Sequence, residues 1–78
     1  MIDALNVRDE VQRFGAEVEG DVVVFAPTDW AEFKFRLRES PGIDFVPGTA
    51  AEAAVFGLTY QGLLFGLQVH SVRPGQGL

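Results

Sequence analysis

The chain has 78 residues, a net charge of −5, an isoelectric point near 4.5 and no cysteine, and we expect one domain over residues 1–78. The acidic charge disfavours non-specific binding to nucleic acid, and a single His without Cys excludes disulfides and the usual zinc-ligand spacings. The sequence therefore predicts no metal and no cofactor, and a core of this size contributes only about 3–5 kcal/mol without further support.

The first residues predict a short amphipathic helix. Asp3 is placed to cap it, and Gly15 is placed to end it. Its apolar side chains recur at helical spacing at Ala4, Val7, Val11 and Phe14. Six of the eleven acidic residues lie before Val22, and we expect them on the exposed surface of this region.

Met1-Ile2-Asp3 lacks the basic and apolar regions of a signal peptide, so the expected location is the cytoplasm.

A turn at Glu19-Gly20-Asp21 and a strand at Val22–Phe25 are predicted next. The continuous apolar run Val22–Phe25 is typical of a strand that is buried on both faces. Pro27-Thr28-Asp29 is expected to end it.

The segment from Glu32 to Arg38 alternates strictly between apolar and basic residues. Phe33, Phe35 and Leu37 lie at one parity, and the other parity carries Lys34, Arg36 and Arg38. This alternation predicts a half-buried strand. The alternative is a helix that begins at Thr28, in which Phe33 and Phe35 would point apart.

Two Pro-Gly turns follow, at Pro41-Gly42 and Pro47-Gly48, and they bracket a predicted edge strand at Ile43–Phe45. The next segment, 49–56, has two interpretations. Thr49-Ala-Ala-Glu52 matches a capping box and favours a short helix, but the same residues can begin a strand.

The run Ala53–Val72 contains no Asp, Glu, Lys or Arg. Its length suits a membrane helix, but Gln61-Gly62 at its centre favours a β-hairpin, so we expect no membrane span. A two-residue turn at Gln61-Gly62 would pair Tyr60 with Leu63 and Gly57 with Gly66. The alternative is a three-residue loop with a bulge at Gly62, which shifts the register by one residue.

These elements predict an α+β fold, with a short N-terminal helix packed on a mostly antiparallel sheet of about four to five strands that ends in a β-hairpin. One short helix covers one sheet face, so the remaining apolar strand surface should be buried by another protein or a second copy. The predicted partner-binding residues are Trp30, Val55, Gly57, Leu64, Gly66 and Gln68.

The leading functional hypothesis is a small acidic, non-enzymatic protein-binding module, an inhibitor or adaptor of a larger complex. In composition the chain resembles accessory proteins of phages and prophages, many of which block a host complex. We do not expect an enzyme, because His70 has no nucleophile or carboxylate placed to assist it.

Two alternatives to this hypothesis remain. The first is a single-strand nucleic-acid binder with Trp30 as a stacking platform and Lys34, Arg36 and Arg38 as phosphate contacts. The second is a homo-oligomeric structural subunit.

Overall fold

A five-stranded sheet with two helices forms the fold in the computed structural model, which describes residues 2–48 and 57–72. Its elements in chain order are α1 (Val7–Arg13), β1 (Glu17–Glu19), β2 (Val22–Phe25), α2 (Pro27–Glu39), β3 (Phe45–Pro47), β4 (Leu58–Leu64) and β5 (Leu67–Val72). The predicted α+β class and the mostly antiparallel sheet are confirmed, but the described residues contain two helices where the sequence predicted one. Segment 49–56, with its two interpretations, lies outside the described residues.

The strand order in the sheet is β1-β2-β5-β4-β3. Every neighbouring pair is antiparallel except β2 and β5, which run parallel at the centre. Both edge strands are only three residues long. Neither helix in the described ranges is long and apolar enough to cross a membrane.

The predicted N-terminal helix is present, and its two ends show why. Asp3 Oδ1 accepts hydrogen bonds from the backbone N–H groups of Leu5 and Asn6, and Asn6 Oδ1 accepts one from Asp3 N–H, a reciprocal capping arrangement. This capped turn precedes α1, which therefore begins at Val7. Gly15 ends the helix with a φ of +91°, as predicted.

The segment predicted as an alternating strand is helical, so that prediction is wrong and the alternative of a helix is correct. Pro27 occupies the first turn of α2, where its missing N–H costs nothing. Successive residues of a helix are rotated by about 100°, so Phe33 and Phe35, two residues apart, point to different sides of α2. Phe33 is wholly buried, whereas Phe35 is 66% exposed.

The predicted register of the last hairpin is also wrong. The turn lies at Phe65-Gly66, with φ of 48° and 81°, and it sets Leu64 opposite Leu67. Two successive positive φ values give a turn whose twist matches that of the flanking strands. A bulge between Tyr60 and Gly62 then shifts the register. Gln61-Gly62 therefore lies within β4 rather than in the turn.

The strand predicted at Val22–Phe25 is confirmed, as is the turn before it, but only one face of the strand is fully buried, where burial on both faces was predicted. Val23 and Phe25 are wholly buried under the helices, while Val22 and Val24 on the opposite face are half-buried. We call these two surfaces the helix side and the open side of the sheet. An edge strand is present as well, but β3 runs Phe45–Pro47, so it shares only Phe45 with the predicted strand and includes Pro47, which was predicted to lie in a turn.

The core lies between the helix side and both helices, and Phe33 is at its centre. Its ring stacks on Phe25 with centroids 5.0 Å apart and meets the edge of Phe14 at 5.2 Å. Strands β4 and β5 contribute Leu64 and Val69, both wholly buried. Helix α2 thus covers sheet surface for which the sequence had predicted an external partner.

Candidate functional site

A surface groove of about 420 Å³ separates α2 from the edge strand β3. Its walls are formed by Trp30, Lys34, Leu37, Arg38, Ile43, Phe45, Pro47, Gly48 and Gln61. We call it the α2–β3 groove. The walls are mainly apolar, with two cations on the helix and one amide on β4.

The two cations share one side of α2 because of their spacing. Trp30, Lys34 and Arg38 recur every four residues, so a helix places them in one row along its surface. In the described ranges the ion pairs are Arg8–Asp21 and Arg13–Glu10, and neither involves α2. Lys34 and Arg38 therefore lie beside an apolar wall without a carboxylate of the described chain to pair with.

Arg36 does not belong to this row. Its guanidinium lies 5.5 Å from the centroid of the Phe14 ring, in a cation–π contact on another side of α2. The prediction of one strand face carrying Lys34, Arg36 and Arg38 is therefore wrong. The helical turn keeps the first and third together and moves the second away.

Trp30 is a wall of the groove rather than an exposed platform. Only 6% of it is exposed, and its ring lies 5.4 Å from Phe25 and 6.0 Å from Phe45, centroid to centroid. A ring that is packed among other rings offers no free face on which a nucleic-acid base can stack. Its buried Nε1 has no hydrogen-bond acceptor within the described residues.

The β3 edge of the groove is closed to strand addition. Asp44 and Gly48 direct their backbone bonds toward β4, which leaves the backbone groups of Phe45 and Pro47 facing outward. Phe45 N–H already donates to Ile43 C=O at 3.0 Å, and proline has no N–H. The outward edge of β3 therefore presents carbonyl acceptors without a free N–H, so an added strand cannot form a full ladder and side chains must supply most of the binding.

The structure does not gather the six predicted partner-binding residues on one surface. Leu64 is in the core, Gly66 is in the exposed turn, and Gln68 is exposed on the open side. Gly57 precedes β4 and does not face Gly66, and Val55 lies outside the described residues. The shifted hairpin register separates them, and of the set only Trp30 lines the groove. A binding role for the others stays a prediction.

The buried His70 lies on the open side of the sheet, away from the groove. It is 2% exposed, its ring centroid lies 5.4 Å from that of Tyr60, and its Nδ1 has no hydrogen-bond partner in the described residues. Burial lowers the pKa of His70 below its usual 6.5. The neighbouring Ser71 points to the helix side, where its Oγ accepts a hydrogen bond of 3.0 Å from Gln61 Nε2.

Several groove residues were not predicted from the sequence, above all Leu37, Ile43, Phe45 and Gln61. The sequence did contain one signal for the groove: Trp30, Lys34 and Arg38 are four residues apart, and Pro27 before them favours the start of a helix. No known protein family matches the chain, and neither a curated protein nor a solved structure is significantly similar to it.

Proposed function

We propose that this protein is a non-enzymatic protein-binding module that docks a segment of another protein in the α2–β3 groove. In this proposal it acts in the cytoplasm as an inhibitor or adaptor of a larger complex, in the manner of a phage or prophage accessory protein. The observation that carries the proposal is an apolar wall beside two cations that have no carboxylate partner among the described residues.

The groove defines the chemistry of the segment. Leu37, Ile43 and Phe45 offer apolar contact, which favours an aliphatic or aromatic side chain in the ligand. Lys34 and Arg38 favour one or two carboxylates beside it, since a carboxylate can pair with both cations. Because β3 does not accept an added strand, these side chains supply the affinity. The expected ligand is therefore a short acidic segment with one apolar anchor.

Single-strand nucleic-acid binding is the second candidate, and one observation favours it. Phe35 is 66% exposed and lies next to Lys34 and Arg38 on the outer surface of α2, so it offers a ring flanked by cations. Against it, the chain carries a net charge of −5, and Arg36 is directed to Phe14. A single carboxylate needs only the local pair of cations, whereas a polyanion also meets the acidic remainder of the surface.

Selection from a displayed library of random short peptides tests the proposal. The parent should enrich peptides that combine an apolar side chain with adjacent Asp or Glu. The variant Lys34→Gln/Arg38→Gln should lose them. The matched control, Arg13→Gln/Arg36→Gln, removes the same amount of charge outside the groove and should keep them. No enrichment by the parent, or equal enrichment by both double variants, would contradict the proposal.

A salt titration with a labelled single-stranded oligonucleotide separates the two candidates. Phosphate binding weakens steeply as salt rises, because bound counterions are released on association. We expect no binding at physiological salt. Salt-sensitive binding that Lys34→Gln/Arg38→Gln abolishes would replace the proposed function with the second candidate.

A further inference from the structure

Leu5 is the most exposed large hydrophobic side chain in the described residues, at 96%. It lies in the capped turn before α1 and not on a free end. The backbone N–H of Leu5 donates a hydrogen bond to Asp3 Oδ1 at 2.9 Å, and the backbone N–H of Val7 donates one to Asp3 C=O at 2.9 Å. The turn therefore presents an apolar side chain to solvent in a fixed position, which reduces the entropy lost when that side chain binds.

Two carboxylates flank this side chain. Asp3 lies two residues before it in the turn, and Asp9 lies in the first turn of α1, which follows directly. Both are exposed, and Asp9 has no ion pair or hydrogen bond among the described residues. We call Asp3, Leu5 and Asp9 the Leu5 knob. An apolar anchor beside acidic groups is the chemistry that the α2–β3 groove favours.

The knob and the groove of one molecule lie at opposite edges of the sheet. Helix α1 packs against β1, whereas the groove borders β3. The sheet order places β2, β5 and β4 between these two edges. The knob therefore cannot reach the groove of its own chain, and only another copy can supply it.

We propose that the Leu5 knob of a second copy docks in the α2–β3 groove, with Leu5 against the apolar wall and Asp9 facing Lys34 and Arg38. This inference rests on one part of the proposed function, namely that the groove binds an apolar side chain beside a carboxylate. Each copy has one knob and one groove, so two copies can exchange knobs reciprocally in a closed two-fold dimer, or the contact can repeat head-to-tail as a ring or a chain. A single apolar anchor buries far less than the roughly 1,200 Å² typical of a stable interface, so the association is weak. A better protein ligand would displace the second copy.

Sedimentation velocity from low micromolar to near-millimolar protein tests this contact. The parent should show a mass that rises with concentration. Leu5→Ala keeps the groove but removes the knob, and the dissociation constant should rise by about tenfold or more. Lys34→Glu/Arg38→Glu keeps the knob but reverses the charge of the groove, and it should stay monomeric. Because all three side chains are exposed, each variant should keep the parent's thermal midpoint.

Mixing the two variants is the decisive measurement. One brings an intact groove and the other an intact knob, so together they should form a one-to-one complex that does not grow further. Val46→Ala is the control, because Val46 is 58% exposed on the open side of the sheet and its loss should leave association unchanged. A monomeric parent, or a mixture that stays monomeric, would overturn the inference.

The outcome is separable from that of the proposed function. If the parent is monomeric while Leu5→Ala still enriches apolar-acidic peptides, the inference fails and the proposed function stands. If the two variants combine as expected but the library yields no ligand, the inference holds and docking of a foreign segment fails.

Discussion

Replacing Phe33 by Ala should abolish the fold, whereas the same change at Phe35 should hardly affect it. Phe33 is wholly buried, and its ring contacts those of Phe14, Phe25 and Trp30. Removing such a ring costs about 3–5 kcal/mol, which equals the whole stability of about 3–5 kcal/mol expected at this size. Phe35 is 66% exposed, so its loss should change the free energy of unfolding by less than about 0.5 kcal/mol.

Urea denaturation followed by circular dichroism and by the fluorescence of Trp30, the single tryptophan, measures both changes. Phe33→Leu keeps part of the contact and should cost about 1–2 kcal/mol, so it gives a measurable transition where Phe33→Ala does not. Equal losses at Phe33 and Phe35 would refute the argument, because an alternating strand that buries both rings gives that result and α2 does not.

Three further outcomes follow from the backbone and from His70. Gly66→Ala should lower the free energy of unfolding in urea by about 1 kcal/mol because the φ of Gly66 is 81°, although no atom lies within 4 Å of the added methyl. Gly66→Asn should cost less, because Asn tolerates a positive φ. Equal midpoints for the parent and both variants would contradict this. Gly48→Ala should cost about 1–3 kcal/mol because the methyl would overlap the Tyr60 ring, and combining it with Tyr60→Leu should recover part of the loss. Because the pKa of His70 is lower in the folded protein, the unfolded chain binds more protons below pH 6.5. The free energy of unfolding should therefore be largest above pH 6.5 and should decrease as the pH falls from 6.5 toward the folded pKa. His70→Gln should flatten this dependence, and denaturation midpoints with an unchanged pH slope in the variant would exclude His70 as the cause.

The sequence predicted best those elements whose signals are local. Gly15 ends α1 through hydrogen bonds within the last helical turn, namely Gly15 N–H to Gln12 C=O and Ala16 N–H to Val11 C=O. The strand Val22–Phe25 was likewise predictable, because a short run of β-branched residues between two turn signals favours no other element.

The incorrect predictions arose where two periodicities shared the same residues. The alternation from Phe33 to Arg38 fits a strand, but Pro27 favours the start of a helix. Of these residues only Phe33 is buried in the helix, and its packing against Phe14 and Phe25 does not need a second buried ring from the same segment. In the last hairpin both Gln61-Gly62 and Phe65-Gly66 can form a turn. The choice depends on which register places Leu64 and Val69 under the helices, and that tertiary preference is not local to the turn. The groove shares this dependence, since β3 contributes to it only after pairing with β4.

The parallel pairing of β2 with β5 has a consequence for how the protein is made. The two strands are far apart in the sequence, so on the ribosome β2 has only β1 as a neighbour until β5 has been synthesised. A two-stranded hairpin is marginal in water, and closing so long a loop must precede any gain from the central contacts. The sheet therefore completes only after translation has passed Val72. A chain cut between β3 and β4 should give two fragments that are unfolded alone and regain the fold only when they combine.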